Sequence, residues 1–310
     1  MQKDQVALIG VDWGTTSFRA YLIGEDGAAL DQIESNRGIL SVEPGEHEST
    51  LAQAIKPWRN AADGPPILLS GMIGSRQGWR EAPYVRCPAG LSETAAAIVT
   101  IETATLGEIA VAPGVLDAGA SDGPDVMRGE ETQIFGALAA MKSVDGLFVL
   151  PGTHSKWAKV ETGRIVAFRT YMTGEVFAAL RNHTILGRLM EAGQEDREGF
   201  IAGIRAAQAM KTPGDLLHAI FMTRTLGLFE RLRGAQLADY LSGLLIAAEI
   251  IGATKDSGDE ATVIGSPSLT KRYAEAGAIL GLQLRLAPEH CVALGQRALL
   301  AEWLKRRSAD

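Results

Sequence analysis

The chain has 310 residues, 46% hydrophobic and 22% charged, with a formal net charge of -7 and a pI near 5.4. That length suffices for a sizeable core and for two domains of ordinary size. The acidic balance argues against a nucleic-acid or membrane-surface partner, since both need a basic footprint. An anionic small molecule is not excluded, because a local pair of Arg or Lys residues is enough to hold one.

The apolar part of MQKDQVALIG is too short for a signal peptide. No run reaches the roughly 18 apolar residues of a membrane span, and the richest, LSGLLIAAEIIGA, is interrupted by Glu249. A cytoplasmic protein is expected. Residues 6–11 form a continuous apolar run, which predicts a strand buried on both faces. Strands at 18–23 and 28–34 follow, joined by Glu25-Asp26-Gly27, so the chain opens as an antiparallel meander. A helix is predicted over 47–58, and a short buried strand over 66–69 that opens into the loop SGMIGSRQGWREAPY. A helix over 92–105, a strand over 108–112 and a helix over 127–141 come next.

The opening pattern then recurs: a strand at 147–150, the turn Gly152-Thr153-His154-Ser155, a strand at 156–160, a Thr162-Gly163 turn and a strand at 165–168. GTTS at position 14 and GTHS at position 152 each follow a buried strand and precede an outgoing one. Repetition of the whole order suggests two similar halves. Helices are predicted over 215–233 and 236–254, the latter with Leu237, Leu241, Leu244, Leu245 and Ala248 on one face. A strand at 261–264 leads into GSPSLTKRY, where Ser266 can cap a helix with Pro267 in its first turn. Leu282, Leu284 and Leu286 alternate as a strand, and a helix over 290–307 ends in basic residues. Cys87 and Cys291 lack a nearby Cys or His at ligand spacing, so two reduced thiols are expected rather than a metal site.

The two turns are where chemistry is expected. Gly14 permits a tight backbone whose consecutive N–H groups can point at one anion, and Thr15, Thr16 and Ser17 add hydroxyl donors. Gly152, Thr153, His154 and Ser155 offer the same set, with Lys156 close behind. Two such turns could face each other across a cleft and grip one polyphosphate. Asp12 would repel phosphate unless a cation lay between them, and Mg²⁺ takes one or two carboxylates plus phosphate oxygens in this way. The plain alternative is a pair of Thr- and Ser-rich hairpins. Neither turn carries a P-loop or Rossmann fingerprint.

Three further stretches stand out. In PDVMRGEETQIFGAL, Glu130 and Glu131 begin a helix, where the dipole favours acids. A carboxylate on an inward face would serve as general base, and Glu131 lies on the side of Ile134, Phe135 and Leu138. In GMIGSRQGWREAPYVR, beyond the end of the strand at 66–69, Trp79 and Tyr84 can stack on a sugar-like face. Arg76, Arg80 or Arg86 can pair with a carboxylate. In ATVIGSPSLTKRY, the Gly265-Ser266 junction can accept a flat adenine.

Together DWGTTSFRAYL, GMIGSRQGW with APY, DVMRGEETQ, LPGTHSKW, FRTYMTGE, LSGLLIAAE and SLTKRY resemble the motifs of the 2-dehydro-3-deoxygalactonokinases, in that family's order and over nearly the whole chain. The resemblance implies the two-domain α/β fold of the sugar kinase, heat-shock chaperone and actin superfamily (actin-like ATPase, ribonuclease H-like). Each domain would be a mixed five-stranded sheet with flanking helices, and a cleft would lie between them. Residues 1–142 would form the first domain, with a C-terminal helix over 290–310 packing back on it, and 143–289 the second.

It implies ATP and Mg²⁺ as cofactors, with Asp12 toward the metal. The turns Gly14–Ser17 and Gly152–Lys156 would meet the phosphates, and Gly265 and Ser266 the adenosine. Gly71, Met72, Gly74, Ser75, Arg76, Trp79, Tyr84 and Arg169 would meet the substrate. The base would be Glu131, Glu130 or, in the preceding loop, Asp125, because the wider superfamily places an aspartate there. The implied reaction is phosphorylation of 2-dehydro-3-deoxy-D-galactonate at its 6-hydroxyl in galactonate catabolism. A kinase for another sugar acid or amino sugar, or a non-catalytic nucleotide- or sugar-binding regulator, are the alternatives. A homodimer is the partner arrangement expected.

Overall fold

The computed structural model describes residues 6–59, 62–119, 123–191, 193, 195–255 and 258–308. The chain divides into two compact units: Met1–Gly146 with Ala158–Phe168 and Ala287–Asp310, and Leu147–Trp157 with Arg169–Leu286.

The first unit opens with β1 (Val6–Trp13), β2 (Phe18–Gly24) and β3 (Ala29–Ser35). VALIGVDW is apolar up to Asp12, and it occupies the sheet interior because both its edges are paired. β2 lies antiparallel on one side, and β4 (Ile67–Ser70), which follows helix α1 (His47–Ile55), lies parallel on the other. This register sets Asp12 opposite Arg19 on β2 and Ser70 on β4. β3 is the edge strand, and its exposed Asp31, Gln32 and Glu34 keep that edge soluble.

After β5 (Tyr84–Arg86) and β6 (Ala89–Gly90), the helix predicted over 92–105 is only α2 (Leu91–Ala96). Residues beyond it form β7 (Val99–Thr103), paired antiparallel with β8 (Gly107–Val111). VTIET is rich in β-branched residues, and the turn before Gly107 closes a hairpin, so strand pairing overrides the helical spacing of the alanines. The sheet order is β3-β2-β1-β4-β8-β7. β9 (Gly114–Asp117) and β10 (Asp125–Met127) join β5 in a small sheet of order β10-β9-β5. Helix α3 (Glu130–Met141) follows. Ile9, Val11, Trp13, Phe18, Leu51, Ile67, Leu69 and Val111 make the core of this unit.

The second half repeats the plan with β11 (Gly146–Leu150), β12 (Ser155–Glu161) and β13 (Arg164–Tyr171). Helices α4 (Thr173–His183), α5 (Arg197–Gln208), α6 (Asp215–Leu228) and α7 (Ala235–Thr254) come before β14 (Glu260–Val263), α8 (Pro267–Leu280), β15 (Gln283–Leu286) and α9 (Cys291–Arg307). The helix predicted to reach 233 stops at Leu228, and Glu230 turns left-handed at φ 53°.

The strand order is β15-β14-β11-β12-β13-β6, with β14 parallel to both β11 and β15. The runs β3-β2-β1-β4-β8 and β13-β12-β11-β14-β15 are the same arrangement twice. Each sheet carries a sixth strand beyond the five expected: β7 in one and β6 in the other. α7 is long and apolar enough to cross a membrane by composition, yet 67% of its apolar window is buried. It packs with Phe200, Ile204, Val263 and Tyr273 as the core of the second unit.

Candidate active site

In the first unit the site begins where β1 ends. Asp12 is 8% exposed, and its Oδ2 lies 3.2 Å from Arg19 Nη2. Burial raises its pKa, and the Arg19 charge pulls it back down. The 14–17 turn is closed by the Gly14 N–H donating to Ser17 O at 2.9 Å. It is braced by the N–H groups of Ile39 and Leu40, which donate to the carbonyls of Gly14 and Thr15. Thr15 and Thr16 are exposed.

Two glycines bring α3 against this strand end. Gly71 (φ +87°) and Gly129 (φ +108°) both adopt backbone that disfavours a side chain. A Cβ at Gly129 would lie 3.0 Å from Gly71 Cα and 3.8 Å from Asp12 Oδ1, and one at Gly71 would lie 3.1 Å from the same Asp12 oxygen.

Glu131 is completely buried. Its Oε2 accepts from Gly129 N at 2.6 Å, and its Oε1 from Thr132 Oγ1 at 2.9 Å. Its carboxyl is pushed up to about 7, first by burial and then by the charge of Glu130. Gly129 thus stands between Asp12 and Glu131. Glu130 turns back to accept from Arg128 N at 2.9 Å. Asp125 begins β10, opposite Asp117 on β9, and accepts from Val126 N.

The 71–84 loop is built differently from the sequence expectation. Arg76 points outward, its side chain 87% exposed and paired with Glu81. Trp79 stacks on His47 at 6.0 Å and packs against the core together with Met72, so one face of its ring is already used. Gly74 and Ser75 are buried, and the Ser75 hydroxyl has no hydrogen-bond partner.

The arginine that enters this loop is Arg128. It is 8% exposed, donates through Nη2 to Ala82 O at 2.8 Å and lies 4.3 Å over the Tyr84 ring. Its Nε and Nη1 are buried without a partner, and no carboxylate pairs with it among the described residues. A buried guanidinium without a carboxylate at ion-pair distance lacks a direct counter-charge. In the sequence Arg128 stands within MRGEETQ with no role assigned to it, and its one local signal is a cation just before the acidic pair.

In the second unit the 152–155 turn meets the first residues of α4. Glu175 N donates to Thr153 O at 3.0 Å, and Glu175 Oε2 pairs with His154 Nε2 at 2.5 Å. Thr153 and His154 are exposed, whereas Ser155 and Lys156 are buried. Lys156 Nζ donates to Thr170 Oγ1 at 2.8 Å.

The Ser155 hydroxyl, expected to point at phosphate, instead donates to Glu249 Oε1 at 2.6 Å. It has one proton to give, and a buried carboxylate behind the turn takes it. Gly265 lies beside Pro151 at the start of the turn, its Cβ position 3.6 Å from Pro151 Cδ. Ser266 is exposed at the N-cap of α8. Arg169 lies exposed on β13 and hydrogen-bonds Tyr171.

A cavity of about 340 Å³ opens from Gly152, Thr173 and Gly174 at the turn to Leu245, Leu269 and Arg272 on α7 and α8. Asp239 and Arg272 form an ion pair in its wall. No group of three His, Cys, Asp or Glu side chains that could hold a metal occurs among the described residues.

A family model described as 2-keto-3-deoxy-galactonokinase matches residues 12–299. A Rhizobium meliloti protein described as 2-dehydro-3-deoxygalactonokinase DgoK1 is 37% identical over 89% of this chain and 90% of its own. The 2-dehydro-3-deoxygalactonokinase of Escherichia coli is 34% identical over 88% of this chain and 90% of its own. A crystal structure from Sinorhizobium meliloti, described as a 2-dehydro-3-deoxygalactonokinase, superposes with a TM-score of 0.84 at 34% identity, covering 95% of this chain and 97% of that one. With this match running from Asp12 past the end of the second unit, and with the strand order repeated in both halves, the chain belongs to the 2-keto-3-deoxy-galactonokinase family and is a kinase of the actin-like ATPase fold.

Proposed function

We propose that the chain transfers the γ-phosphoryl group of ATP to the 6-hydroxyl of 2-dehydro-3-deoxy-D-galactonate, giving 2-dehydro-3-deoxy-6-phosphogalactonate in galactonate catabolism. The observation that carries this reading is the meeting of Asp12, Gly71, Gly129 and Glu131 at the end of β1. Phosphoryl transfer asks for positioning and charge stabilisation rather than covalent chemistry by the protein. Glu131 accepts the proton of the attacking hydroxyl as the new O–P bond forms and the β–γ bridge breaks, with ADP leaving. A carboxyl held near 7 is matched to that task.

Asp12 fits Mg²⁺ in the mode where one carboxylate suffices and waters and phosphate oxygens fill the remaining positions. When bound, the ion neutralises phosphate charge. Arg19, on the other Asp12 oxygen, holds the carboxylate in place.

The nucleotide belongs to the second unit. Its phosphates meet the backbone of the 152–155 turn, and its nucleoside enters the cavity toward Leu245 and Leu269. Arg128 replaces Arg76 as our candidate partner for the substrate carboxylate, because it is buried and lacks a counter-charge whereas Arg76 is exposed and paired.

A second copy of the chain is the partner proposed for α6 and its C-cap, where Leu217, Phe221 and Leu228 on the helix and Phe229 just beyond it are between 54% and 76% exposed. At roughly 200 Å² for a side chain of this size, these four offer on the order of 500 Å² per protomer. A symmetric pair would cover about twice that, close to the ~1,200 Å² of the smaller specific interfaces.

ADP release from ATP with a panel of sugar acids tests the function. 2-Dehydro-3-deoxy-D-galactonate is expected to be the best acceptor, with phosphorus on O6 by NMR. No acceptor-dependent ADP, or phosphorus at another oxygen, would overturn the assignment.

A further inference from the structure

Glu249 interrupts the apolar run of α7 and is 3% exposed. A carboxylate there is costly unless its lone pairs are filled, and four donors fill them. Ser155 Oγ and Trp157 Nε1 donate to Oε1 at 2.6 and 2.7 Å. Tyr273 OH donates to Oε2 at 2.7 Å, and Thr173 Oγ1 donates to the same oxygen. These donors come from three separate places: the outgoing strand of the 152–155 turn, the first residue of α4, and α8. Burial raises the pKa of this carboxyl against the pull of the four hydrogen bonds.

Hydroxyl bookkeeping gives the network a direction. Ser155, Thr173 and Tyr273 each own a single proton, and an ionised carboxylate can only accept. All three lie within hydrogen-bond distance of Glu249, and Tyr273 OH also lies 3.4 Å from Ser155 Oγ. Thr173 and Tyr273 also line the cavity, while the Tyr273 hydroxyl itself is buried against Glu249.

We propose that Glu249 is a positioning residue for the nucleotide: it clamps the 152–155 turn to α4 and α8 and so fixes the backbone that would meet the phosphates. This rests on the reading that the second unit holds ATP. Glu249→Gln keeps the shape but reverses the polarity. The indole N–H of Trp157 cannot accept, so the new amide nitrogen must face Thr173 and Tyr273. Their hydroxyls then accept where they had donated, and the bonds that tie the turn to α4 and α8 are rearranged.

The test measures ATP binding to the full chain by calorimetry, together with the melting temperature and the sugar-acid KM. For E249Q the expectation is a melting temperature within a few degrees of wild type, ATP affinity weakened about tenfold or more, and an unchanged sugar-acid KM. ATP affinity equal to wild type overturns the proposal. So does an equal loss for ATP and sugar acid, which would mark a purely structural role. If E249Q does not fold, Trp157→Phe decides, since it removes one donor without touching the cavity. ATP binding weakened about threefold or more supports the proposal, and unchanged binding overturns it. A wild-type chain that binds ATP yet releases no ADP with any sugar acid would sink the assigned reaction and leave this test standing. A wild-type chain that does not bind ATP would sink both.

Discussion

Glu131 has no exposed surface, so its ionisation is set by its immediate neighbours. Burial and the Glu130 charge lift its pKa to about 7. A base must be deprotonated to work, so kcat/KM is expected to rise through about pH 7 and level off above it. Glu131→Gln should lower turnover by ~10²–10⁴-fold and abolish that acid limb, which a pH–rate profile would show. An unchanged limb would move the role to Glu130 or Asp125.

Asp12→Asn is expected to raise the Mg²⁺ concentration needed for half-maximal activity, measured by metal titration. Arg128→Lys loses the planar fork and is expected to raise the sugar-acid KM while leaving ATP binding alone; Arg76→Ala should do neither. Asp12 and the 130–131 acids were legible as carboxylates in a polar setting within otherwise apolar stretches. Arg128, by contrast, could not be told from Arg76 in the sequence, because burial without a counter-charge is visible only once Ala82 and Tyr84 are seen around it.

Among the elements, α3 and α9 approach backbone to backbone. A Cβ at Gly136 would lie 1.7 Å from Cys291 O, and one at Gly295 would lie 1.8 Å from Thr132 O. The two helix backbones therefore touch at these glycines. Gly295→Ala must push the helices apart, which is expected to cost about 1–3 kcal/mol, read from the midpoint of urea unfolding. Because α3 carries Glu131 in its first turn, activity should fall more than the stability loss alone explains.

The meander strands and the long helices were readable from apolar continuity and 3.6-residue spacing. The 92–105 stretch was not: its alanines fit a helix, but Val99 to Thr103 gain a partner in β8 that no local pattern reveals. β5, β9 and β10 are three or four residues each, too short for periodicity to register.

At the scale of the whole molecule, the same five-strand order is built twice, yet the two units hold different chemistry. Asp12, Glu131 and Arg128 lie in the first, and the cavity and Glu249 in the second. ATP alone is therefore expected to raise the melting temperature without any sugar acid, by the linkage between ligand binding and stability. At the same ATP concentration the shift should be smaller in E249Q and kept in R128K. Light scattering is expected to find a dimer, and Leu217→Glu combined with Phe229→Glu a monomer, since charges on that α6 face would be buried unpaired in a symmetric contact.

What the sequence determined by itself is the repetition and the residue chemistry. Buried strands must be apolar, and a polar turn at the end of each is conspicuous against them. The tertiary structure alone decided which polar groups remain available. Ser155 gives its proton to Glu249 from 94 residues away, and Trp79 spends one ring face on His47, so each has a partner that its local motif does not reveal. A hydrogen bond or a stacked face can be used once, and which partner takes it depends on packing between segments far apart in the chain.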